Sequence, residues 1–90
     1  MTSKLGITVA VDLSSESALV SPEGHLTVRN VSSLIAVAHR AGNVGYGLDV
    51  VVDLRKLTAA DPQAVAMIRD SGWQGSHLVG AGKPGRRRAA

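Results

Sequence analysis

Hydrophobic residues change their period part-way along this chain, and that change limits what it can fold into. Leu5, Ile7, Val9, Val11 and Leu13 alternate with Gly6, Thr8, Ala10 and Asp12, so a strand formed here sends one apolar row to a single face. After Asn30 the spacing becomes helical. Val31, Leu34, Ile35, Ala38 and Ala41 recur on one side, while Ser32, Ser33, His39 and Arg40 fall mostly on the other. A half-buried strand followed by an amphipathic helix hides both apolar surfaces by packing helix on sheet.

The remaining segments extend that pattern. Ser14-Ser15-Glu16 separates the first strand from Ser17-Ala18-Leu19-Val20-Ser21, which predicts an antiparallel hairpin, and Pro22-Glu23-Gly24 is expected to stop its second strand. Asn30 is the expected N-cap of the first helix and Gly42 its C′ residue. Gly42 to Gly47 reads as a flexible return loop. The apolar run from Leu48 to Leu54 has the pattern of a central parallel strand covered on both sides. Asp61-Pro62 supplies an acceptor and an N1 proline for a second helix, whose apolar positions Ala64, Val65, Met67 and Ile68 run on to Gly72. His77-Leu78-Val79 is a short last strand. The predicted fold is α/β in the order β-β-α-β-α-β, with right-handed crossovers. It is a small, mostly parallel four-stranded sheet with an antiparallel N-terminal strand and helices packed on it. Leu19, Leu34, Ile35, Val50, Val52 and Ile68 are its predicted core.

A chain of 90 residues has room for one core, read here as a single domain over 1–82 followed by a basic, flexible tail over 83–90. Tyr46 and Trp73 are the only aromatics, which argues against a base-stacking platform. The absence of cysteine removes disulfides, thiolate metal sites and cysteine nucleophiles together. No apolar run reaches the ~18 residues of a membrane span, and Met1 to Leu5 lacks the apolar centre of a secretion signal, so a cytoplasmic protein with no membrane partner is expected. The net charge of +3 comes from the tail, where Lys83, Arg86, Arg87 and Arg88 lie. Residues 1–82 hold six basic side chains against seven acidic ones.

Motifs for catalysis are weak. Gly80-Ala81-Gly82-Lys83-Pro84-Gly85 fits G-x-G-x-x-G, but a dinucleotide site needs a following helix and an acidic residue ~20 positions on, and the sequence stops short of both. His25, His39 and His77 are far apart in sequence and have no clustered carboxylates, so they read as solvated or locally bonded rather than as metal ligands. No G-x-S-x-G elbow is present. A non-enzymatic protein with no cofactor and no metal is the expectation. Arg55 and Lys56 lie near a strand end where anions commonly bind, although a solvated loop explains them as well. Trp73 has two open readings, a partner anchor or a cap on the core.

Three segments, taken in order, resemble the STAS domain, the family named for sulfate transporters and anti-sigma factor antagonists. Pro22-Glu23-Gly24-His25-Leu26-Thr27 is similar to its Gly-x-Leu-Asp turn before the first helix. Val51 to Asp61, reading VVDLRKLTAAD, is similar to its central strand and the loop that follows. Leu78-Val79-Gly80 resembles its last strand. The resemblance spans nearly the whole chain. It implies a regulatory protein as partner, an anti-sigma factor or kinase-like protein, in bacterial-type transcription regulation and signal transduction. It places the interaction surface at Thr27, Leu57, Thr58, Asp61, Pro62 and Gln63, with Asp61 capping the second helix.

The departures from the family are specific. Where the family presents a phosphorylatable serine or threonine, this chain has Pro62 and Gln63, and Thr27 stands where aspartate is usual. A phosphate at a helix start is held by unpaired N–H groups and alters any docking surface. Gln63 cannot carry one, so binding is expected to be unswitched there or controlled elsewhere; Thr58 is the nearest hydroxyl, although a loop threonine is more often a structural turn residue than a modification site. The family's C-terminal helix is expected to be short or absent, leaving part of a sheet face that a homodimer would bury. The alternative function is a small nucleic-acid-associated protein binding phosphates through Lys83, Arg86, Arg87 and Arg88.

Overall fold

The computed structural model describes residues 5–43 and 47–80. It is an α/β fold with strands β1 (Leu5–Asp12), β2 (Ser17–Leu26), β3 (Asp49–Asp53), β4 (Leu57–Ala60) and β5 (Leu78–Val79) and helices α1 (Val31–Gly42) and α2 (Pro62–Asp70). One 3₁₀ turn, Gly75–His77, leads into β5. β1 pairs antiparallel with β2, while β3, β4 and β5 enter in parallel, giving the order β1-β2-β3-β5 with β4 also on β2. The sheet therefore has five strands where four were expected.

The extra strand arises because β3 and β4 form one interrupted lane along β2. β3 lies against Ser17 to Val20 and β4 against Gly24 to Leu26, and the pairing offset grows by two residues between Val20↔Val52 and Leu26↔Ala60. β2 consequently runs through Pro22-Glu23-Gly24 instead of stopping there, with Pro22 opposite Ile7. Within β2, Pro22 is fully buried.

Both helices cover the same face. Ala18, Val20, Leu26, Val50, Val52 and Leu78 join Val31, Leu34, Ala38, Ala41, Ala64, Val65 and Ile68 in one core. Strand parity sends Leu19 and Val51 to the other side. Leu19 is 38% exposed, so its placement in the core was wrong; Ile35 packs only at the core's margin, and Leu34, Val50, Val52 and Ile68 are buried as expected. β3 is central between β2 and β5, yet it is covered on one face, not both: Val51 is half-buried.

The helix ends also differ from expectation. Asn30 occupies the N-cap position of α1 but makes no capping bond with its side chain. The cap is supplied one turn earlier, where the Thr27 carbonyl accepts from the backbone N–H of Val31 at 2.9 Å. Gly42 is the last helical residue, with Asn43 as C-cap, and a Cβ on Gly42 would stand 3.3 Å from Val50 Cγ2; the glycine lets helix and strand close together. At the end of α2, Gly72 has φ +117°. Its N–H reaches the Arg69 carbonyl and that of Trp73 reaches the Ile68 carbonyl, the bond pair of a Schellman stop. That geometry folds Trp73 back onto the core, where it is 9% exposed, which decides between its two readings in favour of the core. Among the described residues, no helix is long and apolar enough to cross a membrane. The expectations for a tail and a short C-terminal helix fall on 81–90, outside the described residues.

Candidate functional site

Two aspartates follow or close the parallel strands, and they are treated in opposite ways. The first, Asp53, ends β3 where the lane along β2 is interrupted. Leaving the ladder frees the Arg55 N–H, and Asp53 Oδ1 accepts it at 3.0 Å. The Arg55 guanidinium then grips both carboxylate oxygens through Nε and Nη2, each at 2.9 Å. The Asp53 side chain is 5% exposed and that of Arg55 63%. The hydrogen bond from the guanidinium holds the Asp53 carboxyl below its ordinary range, against the opposing effect of burial. Gly80, at φ +87°, crosses this turn so closely that a Cβ would lie 3.0 Å from Arg55 Cγ and 3.2 Å from Arg55 N. Arg55 thereby closes the turn through Asp53, which neither of its two sequence readings, anion ligand or solvated loop residue, includes. Lys56 beside it is exposed.

The second, Asp61, sits between β4 and α2. Its N–H donates to the Leu26 carbonyl at 2.9 Å, so the start of α2 is anchored to the end of β2. Pro62 follows at the helix start, where its missing N–H costs nothing. Against expectation, the Asp61 carboxylate makes no cap bond. It faces His25 Nε2 at 3.5 Å instead, and both side chains are close to half exposed. The reason is local: backbone of extended conformation at Asp61 (φ −69°, ψ 129°) already lets its carbonyl accept from Ala64 and Val65, and β2 brings His25 alongside β4.

Of the six residues expected at an interaction surface, Thr27 follows Leu26, whose carbonyl accepts from Asp61, Leu57 and Thr58 begin β4, and three of the six have internal duties. Thr58 Oγ1 donates to the Gly24 carbonyl at 3.0 Å, stitching β4 to β2 where the register slips between Gly24 and His25. Thr27 Oγ1 accepts from the backbone N–H groups of Arg29 and Asn30, and the Asn30 amide closes the turn by accepting from Thr27 N and donating to the His25 carbonyl. Leu57 is half-buried and packs against the core. Pro62 and Gln63 remain exposed.

The sequence reading missed several neighbours. Met67, 38% exposed, lies one turn beyond Gln63 on the outer side of α2; the i, i+4 spacing of these two was the available signal. Val28, 45% exposed, follows Thr27 and carried no periodic signal. His25 also went unplaced, since its partner lies 36 positions away in sequence.

The three histidines are dispersed: His25 by Asp61, His77 Nε2 at 2.8 Å from Asp49 Oδ1, and His39 edge-on to Trp73 with centroids 4.9 Å apart. Among the described residues, no group of three or more His, Cys, Asp or Glu side chains could hold a metal ion. Lys83, Arg86, Arg87 and Arg88 lie outside the described residues. The chain matches no protein-family model and no curated protein.

Proposed function

We propose that the chain is a non-enzymatic protein-interaction module of the STAS type. It would act in the cytoplasm on a regulatory protein, as an anti-sigma factor antagonist or a stressosome-like scaffold piece, without the family's serine switch. The observation that carries the reading is the surface at the first turn of α2: β4 delivers Asp61 to the end of β2, and Pro62 and Gln63 follow in the open. A neutral side chain there offers hydrogen bonds with little desolvation, whereas a carboxylate must lose water before a partner can dock.

The test is capture of a binding partner by the full chain from nuclease-treated native cytoplasm, followed by affinity measurements with wild type, Gln63→Ser and Gln63→Asp. Gln63→Asp is expected to weaken binding about tenfold or more, a loss of about 1.4 kcal/mol, while Gln63→Ser retains binding until a kinase modifies it. Equal affinity for Gln63→Asp and wild type would remove this surface from the interface. Recovery that disappears with nuclease, and with deletion of Lys83 to Ala90, would support the phosphate-binding alternative instead.

A further inference from the structure

Among the described residues, the sheet has one long edge, β1, that no other strand pairs. β1 pairs with β2 on one side only, and among the described residues no strand meets its outer side. Alternate residues of an antiparallel edge strand direct N–H and C=O outward, an open template for another strand. Natural edges are usually blunted by lysine, proline, a bulge or shortness. β1 has none of these protections: its eight residues run in unbroken register with β2, and Leu5 to Val11 contain no charge and no proline. On the flank facing the helix layer, Val9 is 40% and Val11 47% exposed, although they belong to the same apolar row as Ile7, which packs on the core.

We propose that β1 is a self-association edge, pairing antiparallel with β1 of a second copy about a two-fold axis. The occupant is a second copy because this strand complements itself. A two-fold axis at Val9 keeps like faces together, sets Val9 against Val9 of the partner subunit and Ile7 against Val11 of the partner subunit, and places Asp12 across from Gly6 of the partner subunit, not against another carboxylate. The two sheets become one continuous sheet with both helix layers on the same side. A single strand pair is small beside specific interfaces of about 1,200–2,000 Å², so association is expected in roughly the micromolar range. This surface is separate from the start of α2, and the inference stands whether or not a partner binds there.

The experiment is sedimentation velocity on the full chain across a concentration series, with Val9→Lys and Val9→Glu studied alone and mixed. Wild type should pass from monomer to dimer as concentration rises. Each variant alone should keep the wild-type circular dichroism spectrum and weaken dimerisation at least about tenfold, because like charges then face each other across the axis. An equal mixture of the two should recover the dimer, since opposite charges now meet, a rescue that mere destabilisation would not produce. With no native cysteine, Val9→Cys should also oxidise to a covalent dimer. Wild type that stays monomeric throughout, single variants that dimerise as wild type does, or a mixture of folded variants that fails to dimerise would each overturn the proposal.

Discussion

Asp53 and Asp61 occupy comparable places, each where a strand parallel to β2 gives way to the next segment, yet one is built into the fold and the other is left at its surface. At Asp53 the ladder is broken, so a backbone N–H needs an acceptor, and the buried carboxylate supplies one while Arg55 balances its charge. At Asp61 the backbone is already satisfied by Leu26 on one side and by the first turn of α2 on the other. The carboxylate has no structural bond to make and meets only a half-exposed histidine. Residue type does not separate a structural carboxylate from one free to face a partner. Unmet backbone demand does, and it depends on where the pairing lane along β2 is interrupted.

The comparison can be broken most severely at the residue before Asp53. Val52→Asp puts a carboxylate on the helix-covered face, where Val52 is 1% exposed and packs in the hydrophobic core. Burial of an unpaired charge costs several kcal/mol, comparable with a small domain's whole stability, so loss of the cooperative thermal transition is expected. A second, smaller probe is Gly80→Ala. Left-handed backbone costs a non-glycine residue about 1–2 kcal/mol, and the new Cβ presses on the Arg55 backbone as well as its side chain. A stability loss of about 2–3 kcal/mol is expected by denaturant unfolding.

Acid sensitivity sharpens the same contrast. Arg55 lowers the Asp53 carboxyl below its unfolded value, so this pair contributes stability that is fully present above about pH 4 and is lost as pH falls through the lower folded value. Asp53→Asn should flatten that acid limb in a pH series of unfolding midpoints. The Asp12 carboxyl is lowered too, chiefly by the Ser14 hydroxyl, but it stands exposed at the end of β1, where solvent screens it.

Much of the fold was legible in the sequence because its signals are local. The alternation through β1, the apolar stripe of α1 and the Asp61-Pro62 start of α2 each depend on neighbours within a turn or a strand, and each formed where expected. β4 was not legible: Leu-Thr-Ala-Ala is a poor strand sequence, and it is extended because β2 continues past Pro22 to receive it. Leu19 was misplaced because a hydrophobic run marks a strand without saying how many of its faces are covered. At the candidate site, Pro62 and Gln63 were singled out through the family resemblance, and they stand exposed at the start of α2. A structural threonine was the expectation at Thr58, but the bonding partners of Thr27 and Thr58 were not legible, since these side chains bond backbone groups exposed only by the turn before α1 and by the register slip in β2.

The account turns on Asp53 being structural and Asp61 not, and one side-by-side measurement tests it: denaturant unfolding of Asp53→Asn and Asp61→Asn at neutral pH. Loss of the charge-assisted fork should cost Asp53→Asn about 1–2 kcal/mol. Asp61→Asn removes a surface contact of the kind worth about 0–1 kcal/mol and should remain within about 0.5 kcal/mol of wild type. A large loss at Asp61 with little change at Asp53 would contradict the account, because the start of α2 would then be held by the carboxylate assigned to the free surface.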